Sequence, residues 1–257
     1  MDFLVYYGLT HNPFDKASKQ VVTTIDYKEM SYRLDYLIKS LGIGLFTGRS
    51  GVGKTVILRN FAQQLSPNKY QVCYLPLTTV TVGDFYNQLA ISIGIEPAFR
   101  KAAKFRQIQE RISVLHDNEH RTPVFIIDEA QYLDGQIFNE LMLITNFKLD
   151  GDKKCIVILS GLPLLAQTLQ RPQFEAFRQR ITVNYQVLGL TREEVDSYVK
   201  AKFKSAGVQE NIISSEVLDT MVEHTNGSLR RLDLMITQCL ILGAAQKKQQ
   251  IDNELVF

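Results

Sequence analysis

Tryptophan is absent from this chain of 257 residues, and cysteine and histidine are scarce, with 3 and 4 copies. Cys73, Cys155 and Cys239 lie far apart and form no Cys-x-x-Cys pair, and two of them sit in apolar, strand-like runs. Buried, reduced thiols are expected, a state that suits the cytosol. No apolar stretch approaches the ~20 residues that a membrane-spanning helix needs. The start, Met1-Asp2-Phe3-Leu4-Val5-Tyr6-Tyr7, lacks the basic opening and long apolar core of a signal peptide. The expectation is a soluble, cytoplasmic protein with no membrane partner. An excess of either charge is also missing. The formal net charge is +2, so any contact with nucleic acid must come from a local patch. Zinc ligands, a helix-turn-helix signature and RNA-binding aromatics are lacking, so such contact would be weakly sequence-specific. There is no internal repeat, low-complexity tract or Gly/Ser linker.

What is present is an apolar content of 45% and a charged content of 22%, values of a soluble globular protein long enough for one large domain and a small one. Short apolar runs at Ile43–Thr47, Tyr70–Leu77, Val124–Asp128, Cys155–Ser160 and Ile181–Val187 alternate with helical patterns such as Met30, Leu34, Leu37, Ile38, Leu41. Val- and Ile-rich strands without alternation imply a sheet covered on both faces, hence an α/β fold with a doubly wound parallel sheet. After Gly189 only helices are expected. Thr191-Arg192-Glu193-Glu194 reads as a capping box opening a helix that stops at Gly207. Ser214 or Ser215 caps the next, which runs to Asn226-Gly227, and a last helix spans Arg230 to about Lys248. The expected layout is an α/β nucleotide-binding domain over 1–188, including an N-terminal segment 1–40, and a small helical lid over 189–257.

Residues 48–55 read Gly48-Arg49-Ser50-Gly51-Val52-Gly53-Lys54-Thr55, a complete phosphate-binding loop between an apolar run and a helical pattern. The three glycines let successive N–H groups point inward at phosphate oxygens. Lys54 is placed to reach the outer phosphates, and the Thr55 hydroxyl to bind Mg²⁺. The helix that begins at Lys54 adds its positive dipole end.

Val124-Phe125-Ile126-Ile127-Asp128-Glu129 reads as a buried strand ending in two acids. Carboxylates at the C-terminal end of a parallel strand face the crevice where ligands bind. Asp128 is expected to orient the Mg²⁺ shell and Glu129 to polarise the attacking water. One strand intervenes between the loop and this pair. That order marks the branch of phosphate-loop proteins that hydrolyse ATP with a strand-end glutamate. Ala130-Gln131 then leads into a further helix.

With these motifs the chain resembles the AAA+ ATPases over nearly its whole length. The resemblance implies a five-stranded sheet followed by a helical lid, with ATP and Mg²⁺ as cofactors. Ile156-Val157-Ile158-Leu159-Ser160-Gly161 looks like the family's fourth strand, which makes Ser160 its sensor 1. Arg178-Gln179-Arg180 stands where the family places its arginine finger, which acts on the nucleotide of a neighbouring subunit. Either arginine fits that role, and a solvated pair at a helix end is the plainer alternative. In Gly227-Ser228-Leu229-Arg230-Arg231, Arg230 would be sensor 2 and Arg231 its surface neighbour, or the two exchanged.

A narrower resemblance is to the ExeA-like group, which includes transposition ATPases of the TniB, TnsC and Mu B kind. Tyr7-Gly8-Leu9-Thr10-His11-Asn12-Pro13-Phe14, Glu175-Ala176-Phe177-Arg178-Gln179-Arg180-Ile181, Gly227–Leu232 and the closing Leu240-Ile241-Leu242-Gly243-Ala244 with Ile251-Asp252 carry it. Pro13 and Phe14 suit either a cover for the adenine or a plug under the sheet. The resemblance to the transposition members implies an ATP-dependent ring or filament on double-stranded DNA that recruits a transposase or targeting adaptor. Its DNA face would be the hydroxyl-rich Leu77-Thr78-Thr79-Val80-Thr81, with Thr79 and Thr81 on phosphates, and the basic Arg100-Lys101-Ala102-Ala103-Lys104-Phe105-Arg106. A short basic run is as readily a solvated helix face. The alternative is an accessory ATPase of a secretion or envelope-assembly system that works through a protein partner without DNA. A third reading is a slowly hydrolysing nucleotide switch that acts as a scaffold.

Overall fold

Apolar runs without alternation need cover on both faces, and the structure supplies it. The computed structural model describes residues 2–15, 21–75, 81–147, 152–208 and 212–255. In chain order the elements are α1 Phe3–Tyr6, α2 Ile25–Ser40, β1 Gly42–Gly48, α3 Lys54–Gln64, β2 Tyr70–Leu75, α4 Val82–Ser92 and α5 Lys101–Ser113. They continue with β3 Thr122–Ile127, α6 Gly135–Ile144, β4 Ile156–Gly161, α7 Pro163–Leu169, α8 Glu175–Arg178, β5 Ile181–Val187, α9 Arg192–Ser205, α10 Ser215–Thr225 and α11 Leu229–Ala245. The chain is an α/β protein built on five parallel strands in the order β2-β3-β4-β1-β5. Residues 76 and 77 of the expected second strand lie outside the described residues.

Side chains alternate across a strand, so each strand contributes to two layers. Ile43, Leu45, Phe125, Ile127, Val157 and Leu159 join one buried cluster with Phe85, Leu89, Ile108, Ile112, Phe138 and Leu141 of α4, α5 and α6. The opposite face holds Gly44, where a Cβ would meet a Leu37 methyl of α2 at 2.6 Å.

Contacts divide the chain into two compact units. One is Glu29–Gly48 with Lys54–Val187; the other is Met1–Lys28, Arg49–Gly53 and Leu188–Phe257. The first carries the sheet. In the second, α9, α10 and α11 enclose their own apolar core. The Thr191–Glu194 capping box forms, Ser214 caps α10, and Asn226 ends α10 in the left-handed region at φ 49. Ser228 caps α11, which therefore starts at Leu229 and ends at Ala245, short of Lys248.

Residues 1–28 differ from the expectation that grouped 1–40 with the sheet. Tyr7, Leu9 and Phe14 are buried among Tyr198, Phe203, Ile236 and Leu240. The apolar side chains of this short segment complete the core of a small unit whose helices alone bury little area. Phe14 meets Phe203 edge to face at 5.2 Å and is only 4% exposed. The Pro13 carbonyl accepts from the buried Lys202 ammonium at 3.0 Å. Neither adenine cover nor sheet plug describes this ring; it is a core residue of the helical unit.

Candidate active site

Parallel register sets which strand ends meet. Phe46 of β1 pairs with Ser160 of β4, and Ile127 of β3 with Leu159. The next residue, Asp128, therefore comes level with Ser160, and period-2 alternation puts both on the face opposite the Ile127 and Leu159 cluster. The phosphate loop follows β1 at that same end of the sheet.

The loop keeps the geometry its glycines allow. Gly51 and Gly53 have φ of 80 and 102, a region that penalises any Cβ. A Cβ on Gly51 would also lie 2.5 Å from Ser228 Oγ and 2.8 Å from Arg230 Cβ. Lys54 opens α3 and is buried, with Nζ donating to the Gly48 carbonyl at 2.7 Å. Its neighbour Thr55 donates Oγ1–H to Asp128 Oδ2 at 2.7 Å. The other Asp128 oxygen accepts from the Glu129 backbone N–H at 3.0 Å.

Glu129 is exposed and stands in the left-handed region, φ 54 and ψ 36. For a residue with a Cβ that conformation costs about 1 to 3 kcal/mol, and such strain gathers at working sites. Gln131 Nε2 donates to its carboxylate at 2.6 Å. Ser160 is fully buried, and its Oγ has no hydrogen-bond partner among the described residues. An unsatisfied buried hydroxyl is costly in a settled core. On β2, burial and then the charges of Asp128 and Glu129 push the Tyr74 phenol up, with Arg59 opposing.

Within the helical unit, residues 49–53 of the loop contact the start of α11. Ser228 Oγ donates to the Ser50 carbonyl at 3.3 Å, and the Arg230 N–H to the Gly51 carbonyl at 3.2 Å. The Arg230 guanidinium donates to Ser50 Oγ at 3.3 Å. Arg49, Ser50 and Arg231 are exposed, and Val52 is buried. Asp26, which carried no signal in the sequence, is buried and accepts from the Leu188 and Gly189 N–H groups at 2.9 and 2.6 Å. Gln131 was legible only as the residue that leads out of the acid pair.

The two arginines before β5 differ. Arg178 donates to the carbonyls of Leu169 at 2.8 Å and Arg171 at 3.3 Å, so its guanidinium ties together the end of α7 and the loop after it. Arg180 is half-buried and also engaged within the subunit.

The expected DNA face changes in two places. Thr79 lies outside the described residues. The Thr81 hydroxyl is the N-cap of α4, donating to Asp84 at 2.6 Å and accepting its N–H at 3.2 Å, so its proton is already committed. Lys101 pairs with Glu140 of α6 at 2.5 Å, a compensating acid that the local run does not show. Arg100, Lys101 and Arg106 are exposed and Lys104 half-buried on the opening turns of α5.

Chemically, the Thr55 hydroxyl and the Asp128 carboxylate are hard oxygen donors brought together at 2.7 Å, and their chemistry fits magnesium. A buried ammonium, a positive-φ glycine loop and a helix N-terminus form an anion cradle.

The family model for the AAA domain matches residues 38–169, just over half of the chain. The chain belongs to the AAA domain family. As a member it binds nucleotide and is an ATPase. General secretion pathway protein A of Aeromonas hydrophila is 29% identical over 252 residues, 96% of this AAA chain and 46% of that protein. The chain thus spans about half the length of the curated relative it matches. Among solved structures, Cdc6p of Pyrobaculum aerophilum aligns with a TM-score of 0.68 at 14% identity over 93% of this chain and 67% of that one. The Aeropyrum pernix ORC1 protein in complex with DNA aligns at 0.64 and 13% identity over 95% and 66%. At such identities these likenesses show the AAA+ fold. Among the described residues no helix is long and apolar enough to cross a membrane.

Proposed function

We propose that this ATPase serves a secretion or envelope-assembly system and acts through a protein partner. The observation that carries the proposal is the 29% identity with a secretion-pathway protein across 96% of the chain, with the catalytic acids and phosphate loop intact. In this assignment the backbone N–H groups of Gly48, Arg49, Ser50, Gly51, Val52 and Gly53 and the Lys54 ammonium hold the phosphates of ATP. Thr55 and Asp128 hold Mg²⁺, which when bound neutralises charge on the outer phosphates. Glu129 takes a proton from the water whose oxygen bonds to the γ-phosphorus while the bond to the β-phosphate oxygen breaks, giving ADP and inorganic phosphate. Ser160, level with Asp128 on the same face, turns its unpartnered hydroxyl to the γ-phosphate or the water. Arg230, whose guanidinium donates to Ser50 of the loop, is assigned a contact with the phosphates. A neighbouring copy supplies an arginine, Arg178 or Arg180, to the developing charge.

The basic side chains of Arg100, Lys104 and Arg106 on α5 support a second reading, a transposition regulator that assembles on double-stranded DNA and engages a transposase or targeting adaptor. The two readings separate in cells and in vitro. In a strain lacking the protein, exported proteins should accumulate inside. The wild type should restore secretion and the Glu129→Gln variant should not. In vitro, ATP turnover should be indifferent to duplex DNA at low salt. A filament or ring that forms only with DNA and a slowly hydrolysed ATP analogue, together with normal secretion in the deletion strain, would replace the first reading with the second.

A further inference from the structure

A glutamate side chain on the surface has three rotatable torsions, and a general base is useful only when its oxygen is held within hydrogen-bond reach of the water. Glu129 is exposed, yet its carboxylate is held. Gln131 Nε2 donates to Glu129 Oε2 at 2.6 Å, and Oε1 of the same amide accepts from the Leu162 N–H at 2.9 Å. The orientation of the amide follows from chemistry, because a backbone N–H can meet only the oxygen and a carboxylate only the NH₂. One planar group thereby ties the end of β3 to the end of β4, two residues after Ser160.

The backbone is shaped for this bridge. The left-handed turn at Glu129 and the tight 3-10 turn over Ala130–Tyr132 bring residue 131 back alongside residue 129. On the other strand Gly161 clears the seat. A Cβ there would lie 2.6 Å from Gln131 Oε1, 2.9 Å from a Leu165 methyl and 3.3 Å from the Gln131 nitrogen. Glycine at the end of β4 thus makes room for the glutamine in the turn after β3.

We propose that Gln131 is a positioning residue for ATP hydrolysis. Seated on the Leu162 N–H over Gly161, its amide fixes one oxygen of Glu129 and leaves the other for the proton of the water. The proposal rests on the reading of Glu129 as the general base. The end of β4 then sets the aim of the base as well as carrying Ser160, so movement at that strand end alters both groups together. Gln131 itself touches neither nucleotide nor water in this arrangement.

The experiment uses the whole chain and measures kcat, KM for ATP and binding of a fluorescent ATP analogue. Gln131→Glu keeps the length and the acceptor for Leu162 but removes the donor to Glu129. Gln131→Met removes both bonds. Both should lower kcat about tenfold while KM and analogue affinity stay within about twofold, the pattern of a lost transition-state contact. Gly161→Ala should reproduce the loss by displacing the amide. Adding Gln131→Met to Glu129→Gln should cost nothing further. A wild-type kcat in Gln131→Glu would make the bridge a structural strut and overturn the proposal. A raised kcat in either glutamine variant would overturn it too, since the amide would then be restraining the base. Normal turnover in Glu129→Gln alone would instead remove the underlying reading of the base.

Discussion

The Thr55 hydroxyl donates to the Asp128 carboxylate across 2.7 Å, joining the first turn of α3 to the residue after β3. In sequence these two are far apart, and each belongs to a motif with its own logic. In space they form one oxygen pair, the pair to which the proposed function assigns Mg²⁺.

That pair predicts a metal phenotype. Thr55→Val and Asp128→Asn should leave the fold intact and raise the Mg²⁺ concentration for half-maximal ATP turnover by about tenfold or more, as each removes one oxygen donor or its charge. Chelation should abolish turnover of the wild type, and added Mg²⁺ should restore it. A metal titration of kcat checks this; an unchanged Mg²⁺ requirement in both variants would move the cation elsewhere.

The two arginines before β5 should separate by assay. Arg178→Ala loses two bonds to backbone carbonyls and should lower thermal stability by about 1 to 3 kcal/mol. Arg180→Ala should lose about a thousandfold in kcat if it acts on a neighbour's nucleotide. Mixing Arg180→Ala with Lys54→Ala subunits should then recover activity that neither has alone. No recovery in mixtures would place the arginine within its own subunit.

Phe14 tests the placement of the N-terminal segment. Phe14→Ala opens a cavity beside Phe203 and should cost about 3 to 5 kcal/mol of stability in the helical unit. Its KM for ATP should not change. A large rise in KM in a variant that melts normally would return the ring to the nucleotide.

Asp233 gives the helical unit a pH dependence. Burial pushes its carboxyl up from 3.8 to about 6, against the Tyr198 hydrogen bond at 2.8 Å and the nearby Lys202 charge. Because the folded value is the higher one, the favourable contribution is complete below about 4 and is lost as pH rises through about 6. Asp233→Asn keeps an acceptor for Tyr198. It should match the wild type near pH 4 and exceed it by up to about 3 kcal/mol at pH 8. Chemical denaturation across that range reads the difference; parallel pH curves for the two proteins would contradict it.

What the sequence by itself determined is whatever a short contiguous stretch can encode. Gly48–Thr55 dictates a turn, an anion cradle and a helix start through its own backbone freedom and charge. Val124–Glu129 dictates a buried strand with acids at its end. Thr191–Glu194 dictates a helix start, and the apolar runs dictate a covered parallel sheet, because each signal lies within one contiguous stretch. The tertiary structure decided everything that depends on two distant stretches meeting. It took Phe14 into the helical core, gave Lys101 the acid Glu140, set Asp26 against the N–H groups of Leu188 and Gly189, and braced Arg178 on Leu169 and Arg171. It also seated Gln131 between Glu129 and Leu162. Pairings of this kind have no period and no fixed spacing. The seat of Gln131, for one, arises only once the order of strands brings the end of β3 beside the end of β4.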